Sequence, residues 1–198
     1  MNIAYQDDTV LKQRLEKIDG KIVMISPRPA INHNRVSGNI FSEFRTYLKG
    51  KTCEAFSDGV DVFLDENNHF IPDVMIVCRK DIIHLDGIYG APDLVVEVLS
   101  PSTARNDKTK KKRAYQQAGV KEYWIVEPVY KTVEVYLNTN AEFKLDHFYE
   151  FYTAEEIAEN AKLADDDENK ISHIFTEIKV SICDNLIVKL ADIFDNVS

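Results

Sequence analysis

Three short apolar runs constrain this chain more than any other feature: Ile71-Pro72-Asp73-Val74-Met75-Ile76-Val77, Leu94-Val95-Val96-Glu97-Val98-Leu99 and Glu122-Tyr123-Trp124-Ile125-Val126. Apolar runs of this length, bounded by turn residues, read as strands. Two of them carry a carboxylate, Asp73 and Glu97, where charge is costly to bury, so each acid needs a partner. The segment at 105–113, RNDKTKKKR, follows the second run and holds six basic residues against Asp107. Acid, acid and lysine in this order suit metal-assisted phosphate chemistry.

The remaining pattern places these strands in an α/β chain. Asp19-Gly20 is a hairpin turn signal before the alternating Lys21-Ile22-Val23-Met24-Ile25, and Pro27-Arg28-Pro29 breaks the chain after it. Val36, Ile40, Phe44 and Leu48 recur every four residues and describe an amphipathic helix over about 32–48, stopped by Gly50. Residues 53–65 read as an extended segment bent near Asp58-Gly59, and 66–69 as a turn into the Asp73 strand. Ser100-Pro101-Ser102-Thr103 breaks the chain and offers helix caps; a helix then runs to about Ala118, and Gly119 ends it. The element order is therefore helix, strand, strand, strand, helix, strand. Residues 132–137 and 143–151 read as an antiparallel pair, 153–170 as a helix or loop, and 178–190 as one or two more strands. With 198 residues, 44% of them hydrophobic and 29% charged, the expectation is a single soluble domain with a core at about 27–128 and a C-terminal β extension at about 132–198.

Three widely spaced cysteines, Cys53, Cys78 and Cys183, form no zinc pattern and read as reduced thiols in or near the core. The first residues lack a signal-peptide pattern, and no apolar run reaches membrane-spanning length, so no membrane partner and a cytoplasmic location are expected. The net charge is −9, against any strong grip on long nucleic acid. Acid is concentrated at 153–170, with seven acidic residues against two lysines, which leaves the lysine run as the face a polyanion would meet. Binding there would be salt-sensitive.

Spacing separates the acids. Asp93 and Glu97 share a strand face but lie roughly 13 Å apart at about 3.3 Å per residue, too far to chelate one ion. Asp73 and Glu97 converge if their strands are neighbours, at about 4.8 Å, in matching register. The competing reading puts both acids at strand ends, solvated or capping amides. If Ala114, Tyr115 and Ala118 mark the inward helix face, Lys111 falls on it, four residues before Tyr115 and four after Asp107, while Lys110, Arg113 and Gln117 point outward. A semi-buried ammonium there wants Asp73 and Glu97.

These strings resemble the PD-(D/E)xK nuclease superfamily and, within it, the Uma-type restriction endonuclease family. The likeness covers about 27–128 and rests on Ile71 to Val74, the stretch from Pro92 to Thr103, the Asp107, Lys111 and Tyr115 spacing, and the stretch from Gly119 to Val126. It implies a restriction-endonuclease-like core, a mixed central sheet flanked by helices, with extra N- and C-terminal β elements. It also implies that Asp73 and Glu97 bind Mg²⁺, with Mn²⁺ as a substitute, and that a lysine orients or deprotonates the attacking water. Leu99 stands where the superfamily's usual lysine would be, and Lys111 is the position the Uma-type pattern supplies instead. Glu127 falls at a position that is usually aspartate in the family, and no role follows for it.

Lesser candidates are His33, on the Val36 and Ile40 face near the helix start, Asp61 between Val60 and Val62, and Asp107 and Tyr115 beside Lys111. Each has a bland alternative: a packing or capping histidine, an exposed strand acid, a helix N-terminal carboxylate, a core tyrosine. The expectation is a Mg²⁺-dependent DNA endonuclease with catalytic Asp73, Glu97 and Lys111. The alternatives are a catalytically silent nuclease-like fold serving as an interaction module, and an enzyme for another phosphodiester. A homodimer suits cutting both strands of a duplex.

Overall fold

The computed structural model describes residues 15–24 and 30–198. The Pro27-Arg28-Pro29 break lies outside them. In chain order the elements are β1 (Leu15–Ile18), β2 (Lys21–Met24), α1 (Ile31–Leu48), β3 (Glu54–Ser57), β4 (Val62–Phe63), β5 (His69–Phe70), β6 (Val74–Val77), β7 (Ile83–His84), β8 (Gly87–Tyr89) and β9 (Leu94–Val98). Then come α2 (Ala104–Asn106), a π-helical turn at Asp107–Lys111, α3 (Lys112–Ala118), β10 (Glu122–Glu127), β11 (Thr132–Thr139), β12 (Glu142–Glu150), α4 (Ala154–Asn160), β13 (Glu177–Lys179), β14 (Ile187–Lys189) and α5 (Leu190–Ile193).

The predicted strands form the central six-stranded sheet, in the order β12-β11-β10-β9-β6-β3. Only β9 and β10 run parallel, as a crossover through α2 and α3 requires; the other pairs are antiparallel. Side-chain alternation gives this sheet two buried faces. Leu94, Val96 and Val98 of β9, with Val74 and Ile76 of β6, pack against Val36, Ile40, Phe44 and Leu48 of α1. Val95, Leu99, Met75 and Val77 turn to the opposite face, toward Ala114, Tyr115 and Phe70. The four-residue repeat of α1 thus meets the first face, and Phe44 sets its ring edge-on to Trp124 at 5.6 Å. Gly50, at φ +79°, takes the left-handed conformation that ends α1 without steric cost.

A second sheet, β2-β1-β5-β4-β8-β7, is absent from the sequence reading beyond its opening hairpin. Its strands after the hairpin are two or three residues long, too short for periodicity to announce. The hairpin does turn at Asp19-Gly20, and it reaches the second sheet through a Lys17 to His69 pairing.

One expectation is corrected. Cys53 and Cys78 are joined in a disulfide, and only Cys183 is free, buried as expected. The antiparallel register of β3 and β6 sets Glu54 against Val77, so the two cysteines just beyond meet across the strands. Wide spacing in sequence hid that pairing.

Candidate active site

Strand register brings the two predicted acids together. β6 and β9 pair Val74 with Val96 and Met75 with Val95, so the next position in that register sets Asp73 against Glu97. Asp73 lies just before β6, where its Oδ2 accepts the Val98 amide at 2.7 Å and its Oδ1 lies 3.3 Å from His33 Nε2. It is 14% exposed and His33 12%, so this end of the pair reaches solvent. Glu97, one step inside β9, is buried and faces α3.

Helix phase supplies the cation. Lys111 closes the π-helical turn, buried, with Nζ 2.9 Å from Glu97 Oε1 and 3.2 Å from Asp107 Oδ1. One turn on, the Tyr115 hydroxyl donates to the same Glu97 oxygen at 2.9 Å. Tyr123 donates to the Asp107 carbonyl at 3.0 Å, and the Phe70 ring lies 5.6 Å from the ammonium. Lys110, Arg113 and Gln117 are exposed, as the phase of the helix predicts.

A residue the sequence reading missed completes the contacts of Lys111. Glu16 of β1, also buried, places Oε1 3.0 Å from Nζ and accepts the Ile71 amide at 3.1 Å. Its only sequence signal is an acid on the same strand face as Ile18, which is too common to single out.

One ammonium therefore meets three carboxylates in a dry pocket. Burial pushes the Glu97 carboxyl well above its ordinary value despite Lys111, and Asp107, Asp73 and Glu16 push it further. Burial likewise raises Asp107. Burial alone would lower Lys111, but Glu97, Asp107 and Glu16 together hold it well above the lysine range. Each shift has the same origin, three carboxylates buried around one ammonium. At the solvent edge, burial pulls His33 down, and the Asp73 hydrogen bond and charge raise it on balance.

One candidate, Asp61, does not join this cluster, and Asp93, set aside on spacing, lies apart from it as well. Asp61 pairs with His69 Nε2 at 2.6 Å in the second sheet, where His69 stacks on Phe63. Asp93, at the other end of β9, accepts the Cys78 amide and Lys121 Nζ, each at 2.7 Å. Glu127 accepts the Val129 amide and so caps the turn between β10 and β11. Among the described residues no group of three or more His, Cys, Asp or Glu side chains is gathered to hold a metal ion alone. Asp73 is a partly exposed carboxylate and Glu97 a buried one, beside the further carboxylates Asp107 and Glu16. No described helix is long and apolar enough to cross a membrane.

Residues 8–162 match the Uma2 family, described as "Putative restriction endonuclease", and the chain belongs to that family. Two Synechocystis proteins, "Uncharacterized protein slr1290" and "Uncharacterized protein sll1609", are each 28% identical to it, over 127 and 128 residues. Each match covers 63% of this chain, and 66% of the first relative and 72% of the second, so the chain spans slightly under two thirds of the first. The fold is shared with a crystal structure described as a putative nuclease belonging to DUF820 from Anabaena variabilis. The TM-score is 0.61 at 19% identity, with 91% of this chain and 89% of that one covered.

Proposed function

We propose that this Uma2-family chain is a Mg²⁺-dependent endonuclease that hydrolyses phosphodiester bonds in DNA. The observation that carries the reading is a buried Lys111 2.9 Å from Glu97, with Asp73 accepting the amide of Val98, the residue next to Glu97. Asp73 and Glu97 are the residues that would hold the ion. Their oxygen-only donors, and a pocket short of positive charge, fit a hard divalent cation that keeps waters and substrate oxygens in its shell. When bound, Mg²⁺, or Mn²⁺ in its place, supplies Lewis-acid stabilisation of phosphate charge and lowers the pKa of water.

The chain's own groups do the rest. Tyr115 fixes Glu97 Oε1 by its hydrogen bond, and Asp107 holds Lys111 from one turn below. The Lys111 ammonium, held in place before reaction, offsets the negative charge that grows on the phosphate, at no cost of reorganisation. His33 holds Asp73 Oδ1 from the start of α1. The net charge of −9 opposes approach of DNA, and binding through the basic run at 105–113 weakens as salt is added.

Purified protein is expected to nick plasmid DNA in Mg²⁺, and Glu97→Ala and Lys111→Ala are expected to lose that activity. Persistence of nicking in both variants would overturn this site. A two-fold dimer would let one catalytic centre serve each strand, with sedimentation as its test.

One observation favours a second reading. Three carboxylates already saturate Lys111, and no described cluster holds a metal unaided, as in a silent nuclease-like module. Calorimetric titration with Mg²⁺ and Mn²⁺, with and without DNA, separates the two. Absence of metal binding in both conditions selects the silent module.

A further inference from the structure

We propose that Glu16 is a positioning residue that sets two parts of the active site at once, the Lys111 ammonium and the loop bearing Asp73. The inference rests on the nuclease reading above and adds to it the opening hairpin. A single oxygen, Oε1, forms an ion pair with Lys111 Nζ at 3.0 Å and accepts the Ile71 amide at 3.1 Å. Ile71 is two residues before Asp73, so the same atom anchors the cation and the strand entry that presents the outer acid. Glu97 and Asp107 also hold Lys111, and Glu16 is the one of the three that bonds the Ile71 amide, 55 residues along the chain from it.

The hairpin that carries Glu16 is itself fastened on both sides. Lys17 Nζ donates to the Glu66 carbonyl at 2.6 Å, the Gly20 amide to the Asn67 carbonyl at 2.9 Å, and the Asp19 amide to Asn68 Oδ1 at 3.2 Å. From the helix side, Arg113 Nη2 reaches Asp19 Oδ2 at 2.9 Å. A brace needed only for packing could be apolar at this position; a carboxylate buried to 6% side-chain exposure costs desolvation. What it adds is a directed hold on one ammonium and one amide.

Glu16→Gln tests this, because glutamine keeps the shape and an acceptor for Ile71 and removes only the charge that holds Lys111. The variant is expected to lower kcat for Mg²⁺-dependent nicking about 10- to 100-fold, the usual scale for groups that orient catalytic ligands. KM for the plasmid and the melting temperature stay at wild-type values, and Glu16→Asp, which keeps the charge, loses less than Glu16→Gln. Wild-type kcat in Glu16→Gln overturns the proposal, as does a loss of kcat matched by a fall in melting temperature. If the wild-type protein does not nick DNA, the nuclease reading fails, and Glu16 is then judged by acylation of Lys111 followed by mass spectrometry. Labelling at least tenfold faster in Glu16→Gln than in wild type, at equal melting temperature, upholds its hold on the ammonium, and equal rates overturn it.

Discussion

Glu97 and Glu122 sit on neighbouring strands of one sheet, both buried, and turn to opposite faces. Glu122 is met by neutral donors: Trp124 Nε1 at 2.6 Å, and the Ser181 amide and hydroxyl at 2.7 and 2.5 Å. Those bonds tie β10 to the C-terminal segment that covers the α1 face, and they leave the acid sealed. Glu97 is met by an ammonium and a phenol, with two further carboxylates on the same cation and Asp73 at the solvent edge. Burial raises both carboxyls. A buried acid satisfied by neutral dipoles is a brace. A buried acid that meets a cation shared with two more carboxylates is the arrangement on which the proposed chemistry rests.

The harshest break of this comparison is Lys111→Ala, which leaves Glu16, Glu97 and Asp107 without their cation. It should cost about 3–5 kcal/mol in urea unfolding, the range for removing one partner of a buried ionic group, and abolish nicking. Glu97→Gln keeps shape and the Tyr115 bond, so it should remove nicking while the folded protein survives, checked by melting temperature alongside plasmid relaxation. Glu122→Gln should do the reverse. It should cost about 1–3 kcal/mol by disturbing buried hydrogen bonds and leave nicking by the folded protein intact.

The same variant has a pH signature. Burial lifts Glu122 above the ordinary 4.5, so the folded state binds its proton more tightly than the unfolded chain. The stability this gives is fully present below 4.5 and is lost as pH rises through the elevated value. Glu122→Gln should flatten the stability profile over that window, measured as unfolding free energy against pH. The smallest effect belongs to Arg113→Ala, whose pair with Asp19 is more than half exposed on the arginine side. Within the same basic run as Lys111, it should cost about 0–1 kcal/mol.

Much of the site was legible because its signals are local. Asp73 and Glu97 stand out as charges in apolar runs, and Lys111 is picked from its neighbours by helix phase with Asp107 and Tyr115. The element order of the central sheet follows from the same runs and from the four-residue repeat of α1. The strands β4, β5, β7 and β8 were not legible, being too short to show a period, and neither was the role of Glu16. The Cys53 to Cys78 disulfide was misread because spacing along the chain carries no information about cross-strand register. Asp61, flagged as a lone strand acid, has its partner in His69 and lies with the second sheet.

By itself the sequence determined which segments are buried, the phase of each helix and strand, and which charges could not be left alone. These follow from hydrophobic periodicity and the cost of burying charge, both of which act over a few residues. The tertiary structure decided which charges meet. The pairing of β6 with β9 brings Asp73 to the Val98 amide beside Glu97, the crossover through α3 lowers Lys111 onto Glu97, and the hairpin brings Glu16 from 55 residues before Ile71. Convergence of that kind depends on strand pairing between distant segments, which no local pattern encodes.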